Sequence, residues 1–402
     1  MQVKQYSYYF ISFVTLISII LASTNYIIDP YSLFQTKRVS GFNDKKPAAE
    51  NRTKLFKPYN VVNIKPETII VGNSRPEMGL NPLSECWPKG MGTIYNLTFP
   101  GLGTYEQIRA LFHAVSTGNV KNILLGVDFI DFLQSRNNNN TIFWPKRNNE
   151  FLDRLLVDEQ RLSNDNYSFA KLQDYSSSLF SLNALSDSLY TLMSQSENST
   201  DRTSLGFNPA NDFKEMIHYE GSWVLFKQKQ DLLKQIFSTK NKSIYDSQKW
   251  SIEFEAIKRT IQLAEEKGIK ITLFINPYHY SYLEVIRNSG YWNEFENFKK
   301  TLIETVNKYG KNHVEIWDFS VYSNYSVSVI PKKNSPEPQS NWFWEPAHYK
   351  AELGERMLTD IFNTNCITEQ KENVGTKLNN IDINSYLNQQ QKRRSILLKK
   401  LN

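Results

Sequence analysis

Cysteine is nearly missing from this 402-residue chain. It has two, Cys86 and Cys366, too few for a disulfide framework or a cysteine-built zinc site. Two readings stay open: they pair in an oxidising compartment, or they are unrelated free thiols. An excess of one charge is also missing. Lys and Arg number 47 against 41 acidic residues, a net charge of +6. The body of the chain carries no basic stripe interleaved with aromatics, so no nucleic-acid partner is expected. No cofactor and no metal-ligand set is expected either. Residues 131–242 contain no strong strand pattern, and histidine is limited to five residues.

What is present is ample material for a core: 40% of residues are hydrophobic and 13% aromatic. The N-terminus is the most apolar stretch. No charge falls between Lys4 and Asp29, and residues 8–22 (YYFISFVTLISIILA) are almost continuously apolar. From residue 5 to residue 28 a helix reaches the about 20 residues that cross a bilayer. Tyr6, Tyr8, Tyr9 and Tyr26 suit its interfaces. A cleaved signal peptide is the competing reading, with Ala22-Ser23-Thr24 as its site. The chain stays apolar past that point, so an uncleaved anchor is expected. Lys4 precedes the segment and Lys37 and Arg38 follow it, so charge does not fix the orientation. A short leader and a large following body favour translocation of the C-terminal part.

The expected organisation is an anchor at 1–29 and a polar stalk at 30–66. A domain at 67–365 follows, with a partly helical insertion at about 131–242 that flanks or lids a site. The polar tail at 366–402 reads as disordered, with a short basic helix on an anionic surface as the alternative. Within the domain, strand patterns at 68–71, 93–97, 121–127, 269–276 and 313–317 alternate with helical periodicity at 104–116, 250–267, 292–309 and 351–362. Strand–turn–helix–strand order predicts an α/β fold with a parallel sheet. Helical patches at 151–162 and 182–193 fall in the insertion, and Asn137 to Asn140 reads as a loop.

The first strand meets Gly72-Asn73-Ser74. That places a serine at a strand's carboxyl end, where open α/β sheets bind ligands. The plain alternative is a turn that caps the next element. A nucleophilic serine needs a base, an orienting acid and oxyanion donors. His113 sits inside a helix, His218 lies in the insertion, and His313 precedes a strand. His279 and His348 remain. His348 has Glu345 three residues before it in E-P-A-H, a spacing that lets the carboxylate reach Nδ1 while Nε2 faces outward. His279 stays as the alternative base.

Taken in order, these residues resemble the SGNH hydrolase superfamily, the GDSL-type lipases and esterases. The correspondence covers residues 68–362 without the insertion. Gly72-Asn73-Ser74 matches the Gly-Asp-Ser block, with Ser74 the implied nucleophile. Asn96 to Gly101 (NLTFPG) matches the second block and implies Gly101 as a backbone oxyanion donor. Gly126-Val127-Asp128 stands where the family has Gly-x-Asn, and Glu345 and His348 match the final Asp-x-x-His. Asp128 replaces the oxyanion asparagine, so another donor such as Asn73 or Arg75 takes that place, or ordinary ester hydrolysis does not occur.

The resemblance implies a three-layer, flavodoxin-like parallel sheet of the SGNH type. With the anchor, the layout is similar to the D-alanine transfer protein of teichoic acid and to polysaccharide O-acetylation proteins. It implies a membrane-anchored, extracytoplasmic esterase or O-acyltransferase acting on an acyl-bearing glycan or lipid, with an envelope acyl-transfer assembly as an expected partner. The alternative is an inactive SGNH-like scaffold.

Overall fold

The computed structural model describes residues 2–136, 147–239, 241–333, 340–367, 370 and 372–401. The asparagine run at 137–140 lies outside them. The chain forms two compact units. One comprises residues 1–64, 149–204 and 208–212; the other comprises 65–148, 205–207 and 213–402.

The first unit begins with α1 (Gln2–Ile28), a helix long and apolar enough to cross a membrane. The following residues, expected to be a polar stalk, are folded. The Asp29 carboxylate accepts from the N–H groups of Leu33 (2.8 Å), Phe34 (3.2 Å) and Thr36 (3.3 Å). The Lys46 ammonium donates to the carbonyl of Ile28, at the end of α1, where a cation suits the helix dipole. Tyr31, Leu33 and Ala49 then pack with Phe56 and Tyr59 of α2 (Thr53–Ile64). Polar composition misleads here because Asp29 and Lys46 are buried against backbone partners rather than exposed to water.

The second unit opens with β1 (Thr68–Gly72), which runs into α3 (Ser74–Gly79). Gly72 has φ 155°, and a Cβ there would stand 2.6 Å from Pro76 Cγ and 3.1 Å from the Gly126 carbonyl. The turn that presents Ser74 therefore needs glycine. Next come β2 (Ile94–Thr98), α4 (Thr104–Ser116) and β3 (Asn122–Val127). The chain then supplies α5 (Tyr167–Phe180) and α6 (Leu182–Met193), which belong to the first unit and pack on α1.

Back in the second unit, α7 (Ser222–Ser238) precedes α8 (Ile252–Lys267). Ser251 caps α8 at its start, accepting from the Phe254 N–H, and Gly268 ends it at φ 66°. After these come β4 (Lys270–Ile275), α9 (Tyr280–Asn288), α10 (Trp292–Tyr309) and β5 (Val314–Asp318). A hairpin of β6 (Phe343–Glu345) and β7 (His348–Tyr349) leads into α11 (Ala351–Phe362). The chain closes with β8 (Thr376–Lys377) and α12 (Ile383–Lys399).

The main sheet has strand order β2-β1-β3-β4-β5-β8, all parallel except β8. Its carboxyl ends are in step: Gly72 pairs with Thr98, Val127 with Ile275, and Ile275 with Asp318. From β1 the chain goes one way to β2 and the other way to β3. The reversal lies at the carboxyl end of β1, the place where such sheets take ligands. On one face Ile70, Leu124, Phe274 and Trp317 join Leu353, Met357 and Leu358 of α11 in a common core. Helices α4, α8 and α10 pack side by side.

The tail expected to be disordered is ordered among its described residues. β8 pairs with β5, and α12 buries Tyr386, Leu387 and Gln390. The Tyr386 hydroxyl donates to Asp318 at 2.9 Å, and Arg394 pairs with Glu284. Cys86 and Cys366 are joined in a disulfide, which settles the open question of their state. The bond closes a loop of 280 residues in sequence. Its removal as Cys86→Ser/Cys366→Ser is expected to lower unfolding free energy by about 2–5 kcal/mol. A urea titration with and without reductant checks this, and no shift in midpoint would contradict it.

Candidate active site

The fold brings Ser74, His348 and Glu345 together, although 274 residues separate the first two in sequence. Ser74 starts α3 just beyond β1, and His348 starts β7. The Ser74 Oγ lies 2.7 Å from His348 Nε2. His348 Nδ1 hydrogen-bonds Glu345 Oε1, while Glu345 Oε2 accepts the Ala347 N–H at 2.8 Å. Serine, imidazole and carboxylate stand in the order of a Ser-His-acid triad, with Nε2 turned to the serine.

Burial, which strips the imidazolium of water, pushes His348 below its ordinary value. Glu345 works against that shift, and Lys229 and Arg75 reinforce it. Burial raises Glu345, but His348, Lys229 and the Ala347 N–H outweigh it and hold the carboxyl below its usual range. At neutral pH the pair is therefore a carboxylate beside a neutral imidazole, the form that accepts a proton from serine. Lys229 comes from α7, with Nζ 3.6 Å from Glu345 Oε1. Phe213 stacks near Trp344 and sets its ring 5.8 Å from the His348 ring.

Asp128 has a role that its place in the sequence does not indicate. It is fully buried and surrounded by donors. Arg75 Nη1 lies 2.8 Å away, the Tyr278 hydroxyl 2.7 Å and Asn276 Nδ2 3.1 Å, with Asn73 Nδ2 completing the set. A carboxylate accepts in all these directions; the amide of an asparagine does not. Arg75 in turn donates from Nε to the Ala347 carbonyl at 3.0 Å and lies over the rings of Tyr278 and Tyr282. One buried ion pair thus ties the serine turn to the hairpin that carries Glu345 and His348.

Asn73 and Arg75, each expected as a candidate oxyanion donor, make other contacts. Asn73 is the cap of α3: Oδ1 accepts the Arg75 N–H at 3.0 Å, and Nδ2 faces Asp128. The Arg75 guanidinium directs Nη1 to Asp128 and Nε to the Ala347 carbonyl. Gly101 sits exposed in the turn after β2 at φ 73°. Asn96, matched to the second block, is buried and donates to the carbonyls of Pro76 and Leu80 at 3.0 Å each, which ends α3.

His279, the alternative base, is part of the scaffold. Nδ1 lies 2.8 Å from the Ser281 hydroxyl, and Nε2 lies 3.1 Å from both oxygens of Ser328. Its backbone N–H donates to the Pro346 carbonyl at 3.0 Å and so supports the β6–β7 hairpin. Burial pushes the imidazole down to about 3. The unfolded chain binds a proton near 6.5 while the folded chain refuses it, so stability falls as pH drops from about 6.5 toward 3. His279→Gln is expected to remove roughly 2–3 kcal/mol of the loss between pH 6.5 and 4.5. Denaturation midpoints across that range test this; parallel profiles for the two proteins would contradict it.

Sequence reasoning missed Asn276, Tyr278, Lys229 and Phe213. Asn276 and Tyr278 had a signal, since they follow β4 at the same sheet edge as Ser74 and Asp128. Lys229 and Phe213 had none. No family model matches the chain, and no curated protein matches it.

Proposed function

We propose that the protein is a membrane-anchored serine esterase or O-acyltransferase of the SGNH type, acting outside the cytoplasm on an acyl-bearing envelope glycan or lipid. The 2.7 Å contact of Ser74 Oγ with a Glu345-oriented His348 carries this reading. The β2-β1-β3-β4-β5 strand order, which is flavodoxin-like, supports the SGNH assignment. The disulfide supports an oxidising compartment, and α1 supports the anchor.

The chemistry proceeds in two steps. Ser74 Oγ attacks the acyl carbonyl as His348 Nε2 takes its proton. The tetrahedral oxyanion is received by backbone N–H groups of Ser74 and Gly101. His348 then returns the proton to the departing alkoxide, leaving acyl-Ser74. Water, or a sugar hydroxyl, is deprotonated by His348 and takes the acyl group, and Ser74 recovers its proton. Glu345 keeps Nδ1 protonated and stabilises the imidazolium that forms twice in each cycle. The scaffold alternative rests on Asp128; the contacts of that carboxylate with Arg75, Tyr278 and Asn276 support a positioning role for it instead.

Turnover of p-nitrophenyl acetate by the full chain in detergent tests the proposal. Because His348 is held below its ordinary value, the acidic limb of kcat/KM is expected to fall below pH 6.5. Absence of turnover across pH 5–9, with this and longer acyl esters, would contradict the enzyme reading.

A further inference from the structure

Helix α6 is patterned inside out for a helix in water. Its buried residues are Ala184, Ser188 and Thr191. Leu182 is 75% exposed and Met193 86%, and Leu189 and Tyr190 also face outward. Helices in water hide their large apolar side chains. Helices in lipid pack through small residues and turn the large ones out. The neighbouring α5 follows the same rule: Ser178 is its buried residue, while Phe169, Leu172 and Phe180 are exposed. No charge occurs in residues 175–186, which form the tip of this α5–α6 hairpin.

The hairpin is fixed to α1. Buried Asn25 donates to the Leu179 carbonyl at 2.9 Å and accepts from the Ser188 hydroxyl at 2.9 Å. On α1 itself, residues 4–17 are all exposed, whereas Ser18, Leu21, Ala22 and Asn25 are covered in part or in full at helical spacing. The uncovered part is about 21 Å long at 1.5 Å per residue. A hydrocarbon core is about 30 Å thick. The bilayer therefore extends along α1 to the level where α5 and α6 pack on it.

We propose that the tip of the α5–α6 hairpin, with Phe180 and Leu182 outermost, inserts into the same lipid leaflet from which α1 emerges. This rests on α1 spanning the bilayer. The depth is limited by Asp187, which accepts from the Tyr31 hydroxyl at 2.6 Å and pairs with Arg52. That polar cluster stays at the headgroup level, so the tip enters about 5–10 Å, the depth of an interfacial helix. The first unit is then held at two points, which resists its rotation about α1.

Nitroxide accessibility in phosphatidylcholine–phosphatidylglycerol vesicles tests this on the full chain. Single cysteines are placed at Phe180→Cys, Leu182→Cys, Phe13→Cys in α1, and Asn198→Cys on an exposed loop; the native disulfide does not take the label. Spin labels at 180 and 182 are expected to collide several-fold more with oxygen than with a water-soluble nickel chelate, as at 13, while 198 shows the reverse. A lipid-like signal at 13 with a water-like signal at 180 and 182 overturns the hairpin while leaving the anchor standing. Low access to both reagents at 180 and 182, with spin–spin broadening, also overturns it, by pointing to a second copy as the occupant. A water-like signal at 13 removes the anchor and the hairpin together.

Discussion

Ser74→Ala and His348→Ala are each expected to lower ester turnover by roughly 10³–10⁶-fold. Removing the nucleophile or its base disables the same step, so the double variant should be little worse than either single one. Glu345→Gln is expected to cost about 10²–10⁴-fold, because the amide no longer fixes the Nδ1–H tautomer. His279→Gln should retain turnover within about tenfold, since its effect is confined to support of the hairpin. Steady-state rates of the four single variants and the double variant check this. Equal activity of His348→Ala and the parent protein would remove His348 as base.

Asp128→Asn separates two accounts of the site with opposite signs. If position 128 were an oxyanion residue with the wrong side chain, asparagine would supply a donor and raise the rate. In the structure the Asp128 carboxylate is buried among four donors, one of them the Arg75 guanidinium. Asparagine there leaves a buried cation without its counter-charge and turns an N–H₂ toward other donors. The expected result is a loss of about 3–5 kcal/mol of stability. Turnover should fall with it, because Arg75 loses the partner that aims Nε at the Ala347 carbonyl beside His348. Chemical denaturation and kcat measured together decide this; a faster and equally stable Asp128→Asn would contradict the positioning role.

Local spacing made part of this site legible. Gly72-Asn73-Ser74 stands at a strand end, and E-P-A-H places acid and base three residues apart, so both halves of the constellation were readable. What joins them was not. The Arg75–Ala347 hydrogen bond and the approach of Lys229 to Glu345 span long sequence separations and have no motif. The five parallel strands were legible from runs such as 68–71 and 269–276 for the same local reason.

In the stalk and the tail, polar composition does not mean exposure. In the first, Asp29 and Lys46 are buried with their partners supplied by backbone groups. In the second, α12 docks through Tyr386, Leu387 and the Arg394–Glu284 pair, too few contacts for a hydrophobic period to register. The stretch before α11 folds as the β6–β7 hairpin. That hairpin is what turns the His348 Nε2 toward Ser74.

The central claim is that Ser74 is a nucleophile made reactive by His348. Labelling of the intact protein with a fluorophosphonate, followed by peptide mass spectrometry, tests it most directly. The account predicts one modified residue, Ser74, with labelling lost in His348→Ala while that variant keeps the parent's unfolding free energy to within about 2 kcal/mol. An unlabelled Ser74 in the folded parent protein, or undiminished labelling in His348→Ala, would contradict it.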